Sequence, residues 1–242
     1  MLGRTLGHYR LIELIGAGGM GVVYLAHDER LNRDIVIKVL PAQADSDSVA
    51  REQLIREAQT ASALNHPYIC TIHEVGEEAG RVFIAMEYVR GQTLAALVSH
   101  APIRAREVLR YGSQVAEALE HAHGKAIIHR DLKTSNVIVT PEERVKVLDF
   151  GLAKRLRTDE AESTFSQPLI SEGRIAGTLP YMAPEVLQGT LADERADIWA
   201  LGVMLMRCAQ AGIHSTVDLR TKLRQRSCAM ILPPCQRSCQ PD

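Results

Sequence analysis

The sequence predicts an α+β fold in two lobes, an antiparallel sheet carrying one helix followed by a mainly helical half. Three observations carry this. β-branched and aromatic runs separated by Gly or charged turns crowd the first 90 or so residues. Beyond them the apolar residues change from alternation to helical spacing. Between the two regions lies "MEYVRGQ", Met86 to Gln92, a short connector containing Gly91.

The expected strands are "YRLIELIG", "GVVYLA", "DIVIKVL", "YICTIHEV" and "RVFIAMEY", with one helical pattern from about Val49 to Leu64 interrupting them. The connector reads as a hinge, and clefts between lobes are where ligands bind most readily. In the second half Val108, Gly112, Val115, Leu119 and Ala122 follow the i, i+4, i+7 rule on a long helix expected to end with Gly124 as its C-cap. Further on, "AII" and "VIV" read as buried strands on either side of "HRDLKTSN". The segment from Leu152 to Met182 is long, polar and aperiodic, and such loops in compact domains are functional or disordered.

Composition narrows the function classes. With 242 residues, 46% hydrophobic and 24% charged, the chain can bury a sizeable core. A formal net charge of -1 gives no general attraction to nucleic acid or anionic lipid. No apolar run approaches the roughly 20 residues of a membrane span, and "MLGRTLGHYRLIELIG" lacks a signal-peptide pattern, so the chain is expected to be cytoplasmic with no membrane segment. Four of the five cysteines (Cys208, Cys228, Cys235, Cys239) sit in the last 35 residues without a paired zinc spacing, and reduced thiols are expected.

Chemistry enters at "IGAGGMGVVYLAH", where Gly16, Gly18 and Gly21 fit G-x-G-x-x-G. A dinucleotide fold needs a helix directly after the last glycine, whereas "VVYLA" continues as a strand, and the Gly-Lys-Ser/Thr ending of a P-loop is absent. What remains is a glycine-rich hairpin lying over a nucleotide. One strand later Val36, Lys38 and Leu40 share a face, which puts a cation beside an apolar floor. Glu57, flanked by Leu54, Ala58 and Ala61 on the apolar stripe of the helical pattern, is the expected inward-facing partner of Lys38.

The stretch "IHRDLKTSNV" packs His129, Arg130, Asp131 and Lys133 between apolar runs, and buried ions cost several kcal/mol unless paired or used. It resembles the catalytic loop of protein kinases, "HRDLKxxN", with Asp149-Phe150-Gly151 following Asn136 at the family's distance. Even five of these fixed identities at roughly one in twenty each make a chance match of order one in a million, so coincidence is excluded. "GTLPYMAPE" (Gly177 to Glu185) and "DIWALG" (Asp197 to Gly202) extend the resemblance in order, from about Tyr9 to Met206. Lys133 and Thr178 point to the serine/threonine branch, and "GAGGMGVVY" with "REAQTASALNHPYI" is most similar to the eukaryotic-like kinases of bacteria.

That resemblance implies a protein-kinase-like bilobal fold, with the N-lobe over about residues 9–88, the hinge over about 86–92 and the C-lobe over 93–206. It implies an ATP-dependent enzyme acting on Ser/Thr hydroxyls of proteins, whose task is positioning and charge neutralisation. Ile15, Gly16, Ala17, Gly18, Gly19, Met20, Gly21, Val22 and Val23 would cover the nucleotide, with Val36 lining the adenine pocket. Lys38, held by Glu57, would bind the α- and β-phosphates, and Met86 would be the gatekeeper. The backbones of Glu87 and Val89 would bond adenine. Asn136 and Asp149 would hold Mg²⁺ (or Mn²⁺), a hard cation suited to oxygen ligands. Asp131 would orient the acceptor hydroxyl and Lys133 would stabilise the transferring phosphate. His129 and Asp197 would brace the loop backbone, and Arg130 implies an arginine pocket for a phosphorylated activation loop. Autophosphorylation is expected within residues 152–182, where Thr158, Ser163, Thr164, Ser166 and Ser171 are the candidates.

Three departures from the family stand out. Val36 replaces an alanine, and overpacking of that kind costs about 1–3 kcal/mol. Thr134 replaces a common proline, with little effect expected. Residues 207–242 carry a net +4 against -5 for residues 1–206 and lack apolar periodicity. They read as a divergent, poorly ordered tail on an incomplete C-lobe. Hence an alternative expectation of an inactive or defective kinase-like fragment with only a nucleotide-binding or scaffold role.

Overall fold

In "DIVIKVL" the alternating side chains point to opposite faces of a strand, and here both faces are buried. Ile35, Ile37 and Val39 join one apolar cluster with Leu11, Tyr24, Ala26 and Phe83, while Val36 and Leu40 join another with Ala58, Cys70, Ile84 and Met86. A strand covered on both sides reads as a continuous β-branched run, as this one does. The computed structural model describes residues 3–18, 21–40, 48–100, 103–150 and 179–210, without the side chains of residues 48–51, 53 and 54.

The first lobe is a six-stranded sheet in the order β1-β2-β3-β4-β6-β5, with every pairing antiparallel. Its strands are β1 (Thr5–Leu6), β2 (Tyr9–Gly18), β3 (Gly21–Asp28), β4 (Arg33–Val39), β5 (Ile72–Glu78) and β6 (Arg81–Glu87). Ala79 and Gly80, both at positive φ (50° and 74°), turn β5 into β6, the backbone that a two-residue hairpin requires. Helix α1 (Ser48–Ser62) lays the buried Ala58 and Ala61 on the face that carries Ile84 and Met86.

The fourth expected strand, "YICTIHEV", begins later than its sequence suggests. Tyr68 to Cys70 leave the sheet because the other lobe takes hydrogen bonds there: Ile69 bridges Val147 in parallel, Cys70 N–H donates to Val147 O at 2.9 Å, and Val147 N–H donates to Tyr68 O at 2.8 Å. This splice ties the lobes together behind the hinge.

In the second lobe β7 (Gln92–Thr93), β8 (Val137–Val139) and β9 (Val145–Val147) form a small sheet beside helices α2 (Leu94–His100) and α3 (Ala105–His123). The expected strand at "AII" is absent, because residues 126–128 serve the end of α3 instead. Gly124 is the C-cap of α3, as expected, but it stays right-handed at φ -59° and does not turn the chain. Ala126 (φ 57°) makes the turn, with Ile127 N–H on Ala122 O and Ala126 N–H on His123 O. These are the two bonds that close a helix through a left-handed residue.

A helix over residues 194–210 packs on α3, where Gly112 makes close approach possible: a Cβ there would lie 2.7 Å from Leu205 Cδ2. Leu201, Met204 and Cys208 of this helix are buried in the lobe's core with Val115, Leu119 and Ala122. The expected boundary at residue 206 therefore falls inside a helix, since Cys208 is needed in the core. Residues 211–242, most of the expected tail, lie outside the described residues.

Candidate active site

The site grows from two loops held in left-handed backbone. Arg130 (φ 66°) and Asp149 (φ 59°) both occupy a region that L-residues adopt only when the surroundings impose it. At Arg130 the cause is Asp197, 1% exposed, whose Oδ2 accepts His129 N–H at 2.8 Å and whose Oδ1 accepts Arg130 N–H at 2.9 Å. His123, on the last turn of α3, adds its Nε2 to Asp197 Oδ2 at 2.8 Å. A buried carboxylate so surrounded is compensated for its lost hydration.

His129, fully buried, joins the two loops. Asp131 N–H donates to its Nδ1 at 3.3 Å, so the ring proton sits on Nε2, which donates to Leu148 O at 2.8 Å. Its ring packs on Phe150 with centroids 4.7 Å apart. Leu148 N–H donates to Asn136 O at 2.9 Å. By these links Asp131, Asn136 and Asp149 occupy one place although they come from separate turns.

Within that knot the two oxygens of Asp131 differ. Oδ2 accepts from Lys133 Nζ at 2.7 Å and Asn136 Nδ2 at 3.2 Å. Oδ1 is buried and has no hydrogen-bond partner among the described residues. One oxygen is thus fixed by the protein and the other is left for a donor from outside. Asn136 Nδ2 also donates to Asp131 O at 2.9 Å, so its amide oxygen is the atom left to meet a cation.

Lys38, 5% exposed, puts Nζ 2.9 Å from Asp149 Oδ2. Among the described residues the ion pair of Lys38 is this one, in place of the pair expected with Glu57, which lies half-buried on α1. Asn136 and Asp149 offer oxygen donors, and among the described residues no cluster of three His, Cys, Asp or Glu could enclose a metal alone. Such a sparse set suits a divalent cation that keeps waters and shares its coordination with substrate phosphates.

Over this floor lies the β2–β3 hairpin. Gly21 is dictated by its backbone, at φ 111° with a Cβ that would strike Val39 O. Gly16 and Gly18 have no such internal demand, since a Cβ at either would meet nothing within 4 Å among the described residues. Glycine there leaves the backbone open to a ligand's close approach. Ile15, 53% exposed, is presented to solvent from the same strand, and Ala17 and Val22 pair across the hairpin beside Gly16 and Val23. Gly19 and Met20 lie outside the described residues, as do Gly151, Thr178 and the five candidate phosphoacceptors.

At the hinge, Met86 is buried and pairs with Val36 across β4 and β6. Glu87 N–H is committed to Thr71 O at 2.9 Å, leaving its carbonyl, on which Cys70 Sγ makes only a long contact of 3.7 Å, to face a ligand. Val89 is half-buried beside it. Burial, reinforced by Glu87 and Asp149, pushes the Cys70 thiol up to about 12, so it stays protonated and inert. Sequence reasoning missed Lys146, whose Nζ donates to Glu87 Oε2 at 2.8 Å and Ile69 O at 3.2 Å across the lobes. It also missed His123 and Tyr181. No periodicity signals such pairings.

The protein kinase domain model matches residues 9–230. The chain belongs to the protein kinase family. Its curated relatives include the serine/threonine-protein kinases Pkn3 of Myxococcus xanthus, 44% identical over 84% of this chain, and PrkC of Bacillus subtilis, 38% identical over 84%. The chain spans 38% of the first and 30% of the second. Among solved structures, the kinase domain of Mycobacterium tuberculosis PknI aligns with a TM-score of 0.69 at 31% identity, covering 87% of this chain and 76% of that one. As a member of the protein kinase family, the chain has the bilobal fold its sequence implies, and the family implies use of ATP and a divalent metal. No helix among the described residues is long and apolar enough to cross a membrane.

Proposed function

We propose that this kinase domain transfers the γ-phosphate of ATP to serine and threonine hydroxyls of proteins, with Mg²⁺, or Mn²⁺ in its place. The observation that carries the reading is the unequal use of Asp131, whose Oδ2 is locked by Lys133 and Asn136 while its buried Oδ1 has no partner among the described residues. Oδ1 is the atom to receive the acceptor's O–H, orienting the hydroxyl and taking its proton as the new P–O bond forms. Lys133, already beside Asp131, neutralises the phosphoryl group in transit. Lys38 exchanges Asp149 for the α- and β-phosphates when nucleotide binds, which releases Asp149 with Asn136 for the metal. The metal, when bound, offsets phosphate charge. The glycine hairpin, Val36, Met86, Glu87 and Val89 hold the nucleotide. The acceptor proteins and autophosphorylation within residues 152–182 belong to the same proposal, as does a cytoplasmic setting where ATP is supplied.

The test compares Asp131→Asn with Asp149→Asn, using phosphate incorporation into casein and calorimetric binding of Mg·ATP, with Lys38→Met as the background control. Both variants should abolish transfer, and Asp149→Asn alone should strongly weaken Mg²⁺-dependent nucleotide binding. Equal loss of nucleotide affinity in both would refute the division of roles.

A further inference from the structure

Thr134 stands directly after Lys133 and opens the short turn Thr134–Asn136, so its side chain leaves the loop between two groups assigned to the reaction. Its Oγ1 lies 2.9 Å from the phenol oxygen of Tyr181. Tyr181 is 6% exposed and sits at the end of the turn Leu179–Tyr181 that leads into the short helix Pro184–Leu187. The guanidinium of Arg207, from the helix over residues 194–210, lies 5.1 Å above its ring. Tyr181, Met182 and Ala183 wall one pocket together with Arg130, Asp131 and Leu132.

A buried phenol needs a hydrogen-bond partner, and here a single hydroxyl supplies it. Among the described residues, this is the one hydrogen bond that joins residues 133–136 to residues 179–183. A proline at 134 offers no hydroxyl, so the contact belongs to this sequence and departs from the small effect expected of Thr134. We infer that Thr134 is a positioning residue: its bond to Tyr181 sets the register of the Asp131–Lys133 turn against the pocket wall on the acceptor side. The inference rests on the proposed phosphoryl transfer. Arg207 over the face of the ring adds a second contact to the same phenol.

The experiment measures steady-state transfer from Mg·ATP to casein for the full chain and for Thr134→Val, Thr134→Ser, Tyr181→Phe and the double variant Thr134→Val/Tyr181→Phe. Amide hydrogen exchange of residues 133–136 and 179–183 is followed in the same proteins. Thr134→Val should lower kcat about fivefold, the factor equivalent to ~1 kcal/mol for one neutral hydrogen bond, with KM for ATP unchanged. Tyr181→Phe should match it, Thr134→Ser should restore the rate, and the double variant should be no slower than either single one. Exchange should quicken in both segments wherever the bond is lost. The inference is overturned if serine is as impaired as valine, if the two single effects multiply, or if KM moves while kcat does not. A wild-type chain without transfer would refute the functional proposal instead. In that case the exchange data decide: quickening in both segments with valine but not serine upholds the tie, and unchanged exchange removes it.

Discussion

Val36 shows how one side chain serves two demands. It pairs with Met86 on β6 and Leu25 on β3, and it packs half-buried against the cluster of Leu40, Ile84 and Met86, so part of its isopropyl group supports the core and part stays accessible. Val36→Ala should therefore act in two directions. Nucleotide binding should tighten, by at most the about 1–3 kcal/mol of relieved overpacking, while the fold loses about 1 kcal/mol of burial. Calorimetry with ATP and a denaturant titration read the two separately, and an unchanged dissociation constant would show that the adenine pocket has already adjusted to valine. The glycines of the hairpin divide in a similar way. Gly21 answers to its own backbone, whereas Gly16 and Gly18 meet no such demand among the described residues.

At the level of elements, the end of α3 has its glycine two residues from the left-handed position. Ala126 takes φ 57°, a conformation that costs an L-residue about 1–2 kcal/mol, while Gly124 is spent on an ordinary helical φ of -59°. Ala126→Gly should stabilise the chain by about 0.5–1 kcal/mol net, once the greater freedom of glycine in the unfolded chain is subtracted. A denaturant midpoint that falls would show that the Cβ of Ala126 contributes packing that outweighs its strain. The longer elements were legible, because long β-branched runs and the i, i+4 stripe of α3 are local signals, whereas the short strands β1, β7 and β9 and the helix α2 were not anticipated. Element ends were less so. The start of β5 moved to Ile72 because backbone groups of Tyr68 and Cys70 bond to the distant Val147, and no local pattern records that competition.

Across the whole molecule, Asp197 joins the helix over residues 194–210 to the chemistry. Its two oxygens hold the consecutive N–H groups of His129 and Arg130 and the ring of His123. Asp197→Ala would strand two backbone donors, at about 1–3 kcal/mol each if they stay buried, and would release the left-handed turn at Arg130. Transfer should be lost, and the melting temperature should fall by about 2–4 °C per kcal/mol for a chain of this size. A variant that melts with the wild type would show the loop to be held by other contacts. The same helix buries Leu201, Met204 and Cys208 against α3 while Ile198, Trp199 and Met206 stay exposed at 55%, 47% and 59%. Thus α3 satisfies one face of a helix whose sequence is apolar on more than one.

Among the site residues, the legible ones share a property: their chemistry depends on type and spacing along a short stretch. Asp131, Lys133 and Asn136 lie in one turn, Asp149 and Phe150 in another, and Gly16, Gly18 and Gly21 in one hairpin, so a linear motif captures each group and, with it, the family. The partners were settled by folding. Asp149 stands beside Lys38 where Glu57 was expected, Lys146 reaches Glu87 from the other lobe, and Tyr181 bonds Thr134 under the guanidinium of Arg207. An ion pair or hydrogen bond needs its atoms within about 3 Å, and for residues far apart in the chain that distance is set by how sheets and helices pack. Local sequence specifies which groups can react, and packing selects which of them meet.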